Sequence, residues 1–251
     1  MPVIGITGTG GAGKSSLTDE LLQRFVRHFD DKRIAVVAID PTRRRSGGAL
    51  LGDRLRMNAL ASPRIFMRSL ATGQHHASVS ASLRDVIALY TAAQFDLIIV
   101  ETAGTGQGDS EIVDHVDIPV YVMTCEFGAP SQLEKIDMLD YAHFIALNKA
   151  DKPGSEDALR DVRKQWVRNH GGRARAGDEN VPVFATVASR FNDPGVNRLF
   201  QALVMALPEY SAAGAVWKPG GAELPQTTPH RALIPANRIR YLSEIAERGR
   251  R

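Results

Sequence analysis

Two short stretches of this 251-residue chain pair residue types and spacing that can do chemistry. The first is Gly8-Thr9-Gly10-Gly11-Ala12-Gly13-Lys14-Ser15, of the form G-x-x-x-x-G-K-[ST]. Glycines let the backbone turn tightly and aim several N–H groups at one anion. An apolar run at 3–7 reads as a buried strand before it. A helical pattern over 14–29, with Leu17, Leu21, Leu22 and Phe25 on one face, reads as a helix after it. The start of that helix adds a positive end to the phosphate site. Candidate phosphate contacts are Gly10, Gly11, Ala12, Gly13, Lys14, Ser15 and Ser16. Lys14 would act as a point charge on the β- and γ-phosphates, and Ser15 would bind Mg2+. A glycine-rich turn with a chance lysine is the other reading, and it has no need of the flanking strand and helix. The pattern specifies a nucleoside triphosphate and leaves the base open.

The second stretch, Asn148-Lys149-Ala150-Asp151, follows an apolar run at 143–147, about 130 residues beyond the phosphate loop. A carboxylate at Asp151 can accept from guanine N1–H and the 2-amino group. Adenine offers neither, so it would leave that acceptor buried and unpaired, at a cost on the order of 1–3 kcal/mol per group. Asn148 would brace the loop and reach N7, and the stem of Lys149 would cover one face of the base. A third stretch, 186–189, ends another strand and is either a source of a backbone N–H for guanine O6, through Ala188 and Ser189, or an ordinary strand end.

The remaining site residues concern metal and water. Glu101 ends the apolar run 95–100, a carboxylate at a buried strand tip beside the phosphate loop, where it would orient Mg2+ through water. Gly104 could bring a backbone N–H to the γ-phosphate. Gln107 is either a positioner of water or a solvated loop side chain. Asp40 ends the run 33–39 and would also project toward the phosphates, as the first candidate for orienting the attacking water. Asp53 is either a metal-side carboxylate on a glycine-bearing loop or a helix N-cap. Phosphate oxygens and waters fill much of an octahedral shell, so Asp40, Asp53 and Glu101 cannot all be direct ligands.

Apolar runs alternate with helical periods along the rest of the chain. Strands are expected at 33–39, 64–70, 95–100, 118–124, 143–147 and 181–186, and helices at 51–61, 79–93, near 132–140, at 154–169 and at 196–207. Such alternation implies right-handed crossovers and a three-layer α/β fold. A mostly parallel sheet of six or seven strands would carry helices on both faces, as in P-loop NTPases. Residues 1–207 form the expected domain. Residues 208–251, with five of the 13 prolines, read as a linker or extension toward another domain, and Trp217 there lacks a core of its own.

Composition narrows the class. Apolar residues make up 43% and charged residues 24%, the balance of a globular protein. The net charge of +3 sits wholly in residues 208–251, which hold seven Lys/Arg and four Glu, so the first 207 residues are neutral. No basic field argues for nucleic acid. No apolar run reaches the roughly 18 residues of a membrane span. A single cysteine, Cys125, excludes an intrachain disulfide scaffold, and with no secretion-signal pattern the expected location is a reducing cytoplasm.

Taken together, Asp40-Pro-Thr, Gly-Gly-Ala-Leu-Leu-Gly-Asp53-Arg-Leu-Arg-Met57, Val-Glu101-Thr-Ala-Gly-Thr-Gly-Gln107 and Asn148-Lys-Ala-Asp151 resemble the MeaB/ArgK-like P-loop GTPases, which chaperone adenosylcobalamin-dependent acyl-CoA mutases. The likeness spans residues 3–207. The segment 124–140 is similar almost throughout to members embedded in a fused mutase polypeptide. The resemblance implies Mg2+-dependent conversion of GTP to GDP, coupled to gated cobalamin loading and mutase protection. It implies switches at 40–57 and 101–112, and a third at 125–138, with Glu126 and Lys135 as charged candidates. It also implies a mutase partner, in trans or in the same polypeptide, and membership of a dimer-forming branch, hence a possible homodimer. The chain starts two residues before its first strand and ends in a linker-like tail, which suits an internal domain. No cobalt-ligand pattern of the D-x-H-x-x-G type is present, so adenosylcobalamin would sit on the partner or another domain.

Other functions share the phosphate loop. A nickel-insertion GTPase would need Cys/His ligands at an interface. A small-molecule kinase would have no need of Asn148 to Asp151. A non-hydrolysing structural domain would keep the loops for assembly. Arg43-Arg44-Arg45 is either a contact for an acidic surface or phosphate, or a solvated basic loop.

Overall fold

Apolar runs become strands here because helices cover both faces of the sheet they form. The computed structural model describes residues 1–41, 57–72, 76–104, 111–127, 133, 136–170 and 181–220. Within them lie β1 (Val3–Gly8), β2 (Ile34–Pro41), β3 (Ile65–Thr72), β4 (Leu97–Glu101), β5 (Ile118–Met123), β6 (Phe144–Leu147) and β7 (Val183–Ala185). They make one seven-stranded sheet in the order β3-β2-β4-β1-β5-β6-β7. Every neighbouring pair is parallel. All residues of β1, β4 and β5 are buried, as expected of strands covered on both sides.

Five helices are described: α1 (Lys14–His28), α2 (His76–Ala92), α3 (Met138–Tyr141), α4 (Ser155–Asn169) and α5 (Pro194–Ala206). Alternate strand residues face opposite layers. Ile4, Ile6, Val36 and Ile99 pack with Leu17, Leu21 and Phe25 of α1 and Phe200 of α5. Val37, Ile98 and Val100 pack with Leu83 and Tyr90 of α2. Tyr121, Ile145 and Leu147 pack with Met138 of α3 and Val162 of α4. None of the described helices is long and apolar enough to cross a membrane.

From β1 the chain moves out to β2 and β3 and returns through β4. It then crosses β1 to lay down β5, β6 and β7 on the other side. The order therefore reverses at β1, and the crevice beyond the carboxyl ends of β4, β1 and β5 is where parallel α/β sheets take ligands. The loop from β1 to α1 opens into that crevice.

Two expected helices are covered only in part by the described residues. Among the described residues of 51–61, Asn58–Ala61 forms a short 3-10 segment, and residues 51–56 lie outside the described residues. Pro63 disfavours helical backbone at Ser62, which is extended (φ −77°, ψ 130°). Near 132–140, Leu133 is helical and the four-residue α3 follows after a break at residues 136–137, while 132, 134 and 135 lie outside the described residues. Trp217 also departs from expectation. It is buried in this chain's own core, its ring centroid 5.5 Å from Phe29 and 6.4 Å from Phe25. Gly220 N–H donates to His28 O at 2.8 Å, holding residues 207–220 against the carboxyl end of α1.

Candidate nucleotide-binding site

The phosphate loop is shaped by glycine where nothing else fits. Gly8 has φ +142°, and a Cβ there would lie 1.9 Å from Val122 O of β5. Gly13 has φ +90°, and its Cβ would lie 2.5 Å from Asn148 Nδ2. α1 begins directly after Gly13, with no side-chain cap and no acidic residue in its first turn. Helices usually cap that turn with their own Ser, Thr, Asp or Asn. Here the amide groups are left for an anion. Lys14 is buried, and its Nζ donates to Gly8 O at 3.0 Å and Thr9 O at 3.1 Å, so the ammonium group is folded into the loop that would receive phosphate.

Glu101 reaches this loop from β4. Its backbone pairs with Ile6 of β1 and Ala38 of β2, and the residue is 4% exposed. Ser15 Oγ donates to Glu101 Oε1 at 2.5 Å. Thr18 Oγ1 donates to Oε2 at 2.8 Å. A hydroxyl and a carboxylate side by side are hard oxygen donors, the set that suits Mg2+. Asp40 stands in β2 two positions beyond Ala38, the partner of Glu101, and so at the same end of the sheet. Gly104 has φ +71°, and a Cβ on it would come 2.1 Å from Lys14 Nζ and 2.6 Å from Gly8 O. That close approach requires glycine. Asp53, Gln107, Lys135 and Arg43 to Arg45 lie outside the described residues.

The base side is a cleft of about 350 Å³ lined by Gly13, Ser16, Asn148, Lys149, Asp151, Lys152, Ala188 and Ser189. That volume falls in the ordinary range for small ligands. Asn148 is the joint of the cleft. Its Nδ2 donates to Ala12 O at 2.8 Å, and its Oδ1 accepts from Ala188 N–H at 3.0 Å and Thr186 Oγ1 at 3.2 Å. One buried amide thus ties the phosphate loop to both base-side loops. Ala188 N–H, expected to face guanine O6, is bonded to Asn148. Lys149 takes a left-handed backbone (φ +56°) and sends Nζ to Gly11 O at 2.7 Å, so its stem runs along the cleft toward the phosphate loop. Asp151 stands exposed at the mouth.

Asp193 supports the third loop from behind. Its Oδ1 accepts from Val187 N–H at 3.1 Å and caps α5 through Val196 N–H at 3.0 Å. Two residues of the site lay outside the sequence reading. Lys152 lines the cleft and pairs with Glu126 at 2.7 Å. Its hydrogen bond holds the Glu126 carboxyl below the usual range. Thr18, three positions along α1 from Ser15, reaches Glu101, a contact that only the fold creates.

A family model described as "Methylmalonyl Co-A mutase-associated GTPase MeaB" matches residues 1–218. The chain belongs to the MeaB family. Its motif set led to the same family. Among relatives of this MeaB-family chain, a fused isobutyryl-CoA mutase of Cupriavidus metallidurans is 58% identical over 254 residues, covering 98% of this chain and 23% of that one. A fused isobutyryl-CoA mutase of Geobacillus kaustophilus is 53% identical over 247 residues, covering 98% and 22%. The chain therefore spans less than a quarter of the length of these relatives. A probable GTPase of Mycobacterium bovis is 35% identical over 162 residues, covering 64% of this chain and 48% of that one. Of solved structures, a LAO/AO transport system kinase superposes with TM-score 0.58 at 24% identity, covering 84% of this chain and 61% of that one. HypB from Helicobacter pylori in complex with nickel superposes with TM-score 0.56 at 14% identity, covering 86% and 92%. Both likenesses show the fold alone, an α/β sheet with helices on both faces.

Proposed function

We propose that this MeaB-family chain binds GTP with Mg2+, hydrolyses it to GDP and phosphate, and uses that cycle to chaperone an adenosylcobalamin-dependent acyl-CoA mutase, gating cobalamin loading and protecting the mutase. The partner acts in trans or within the same polypeptide, and it holds the cobalamin. The observation that carries the nucleotide reading is the Asn148 joint, which makes the phosphate loop and the base cleft one continuous receptor. The mutase partner is supported by relatives above 50% identity that are fused mutases.

Positioning and charge do most of the work in phosphoryl transfer. The uncapped first turn of α1 and the loop amides cradle the phosphates, and Lys14 leaves Gly8 O and Thr9 O to meet the β- and γ-phosphates. Ser15 and Glu101 would hold Mg2+, which would supply neutralisation of phosphate charge. Asp40 orients the attacking water, with Gln107 as a second candidate. Water adds to the γ-phosphorus as the bond to the β-phosphate oxygen breaks; GDP departs with that electron pair, and the water's surplus proton leaves with the phosphate or to solvent. Asp151 selects guanine at the far end. Turnover by the chain alone is slow, and the partner accelerates it.

The test is phosphate release from GTP, with ATP as control, in the absence and presence of a cobalamin-dependent acyl-CoA mutase. The expected result is GTP-selective release that the mutase increases. Equal turnover of ATP would overturn the base assignment, and indifference to the mutase would overturn the chaperone assignment.

A further inference from the structure

The Glu101 carboxylate is held from two sides by one helix. Ser15 takes Oε1 and Thr18 takes Oε2, and the two residues are three apart on α1, hence on one face. Thr18 is fully buried and is absent from the lining of the base cleft. Its hydroxyl has one proton and two acceptors in range: Lys14 O at 3.0 Å and Glu101 Oε2 at 2.8 Å. Donation to the carbonyl four residues back is the common fate of a threonine inside a helix. A carboxylate is the stronger acceptor, so Glu101 competes successfully for that proton. The final torsion of a glutamate side chain is broad, and an unpinned carboxylate would swing.

We infer that Thr18 is a positioning residue for the metal side of the nucleotide site: its buried hydroxyl pins Glu101 Oε2, so that Oε1 and Ser15 Oγ face a divalent cation or its water together. The inference rests on the proposed role of Glu101 and goes beyond it by assigning what orients that carboxylate. Thr18→Val exchanges the hydroxyl for a methyl of similar size. Thr18→Ser keeps the hydroxyl and removes the methyl.

The experiment measures affinity for a fluorescent GDP with saturating Mg2+ and with EDTA, in wild type, T18V, T18S and E101Q. In T18V the strengthening of GDP binding by Mg2+ should fall about tenfold, as for loss of an outer-shell partner of a metal ligand, with affinity in EDTA unchanged. T18S should behave as wild type, and E101Q should lose at least as much Mg2+ dependence as T18V. Normal Mg2+ dependence in T18V overturns the inference, and so does a T18S as impaired as T18V, which would mean a packing role. Loss of GDP binding by T18V in EDTA overturns it too, because the hydroxyl would then serve the fold. If E101Q keeps its Mg2+ dependence, the proposed role of Glu101 fails. If only E101Q loses it, the assignment of Thr18 fails alone.

Discussion

Asn148 commits its side-chain amide to three residues in two other segments of the chain, and Asp151, three residues later, keeps its carboxylate in the open. Asn148 builds the cleft, and on the proposed reading Asp151 addresses the base that enters it. Asp151→Asn should therefore leave the fold intact and exchange guanine for xanthine, whose 2-oxo group accepts where guanine donates. The expected swing is on the order of tenfold or more in the ratio of XDP to GDP affinity, measured by competition, since each mismatched polar group costs about 1–3 kcal/mol. Unchanged base preference would remove Asp151 from the base site. Lys14, Asn148 and Asp151 were legible in the sequence because each sits at a fixed offset from a strand end. Thr18 was not, because its partner Glu101 is 83 positions away and only the fold joins them. The pairing of Lys152 with Glu126, 26 positions apart, escaped the sequence for the same reason.

Buried strands declare themselves as apolar runs, and β1, β2, β3, β4, β5, β6 and β7 all lie where such runs were read, to within a few residues. The short helices were harder. The pattern over 51–61 buries Met57 and Ala59, and periodicity alone cannot separate a 3-10 turn under Pro63 from the end of a longer helix. Trp217 was misread because proline spacing suggests a free linker, whereas the ring fills a gap between α1 and the segment 207–220. Phe25, Phe29 and Trp217 make tilted and edge-on ring pairs, and Trp217 Nε1 donates to Ser211 Oγ at 2.7 Å. Trp217→Ala should therefore lower unfolding free energy by about 3–5 kcal/mol in urea titrations, as for other large-to-small core changes. A loss below about 1 kcal/mol, the size of an ordinary surface change, would show that the segment contributes little to the core.

At the scale of the whole molecule, one topological feature accounts for the site. Because the strand order reverses at β1, the loop after β1 stands between two sets of strand ends. β4 on one side delivers Glu101 to the phosphate end, and β6 and β7 on the other deliver Asn148, Asp151 and Ala188 to the base end. This division follows from the alternation of strands and helices, which is why the fold class was legible before any contact was known. The central claim is that this single crevice reads both ends of a guanine nucleotide. Titration calorimetry of the protein with GDP and with ADP, each with Mg2+, tests it most directly. Saturable heat with GDP and none above dilution with ADP is the predicted result, and equal binding of the two would contradict it.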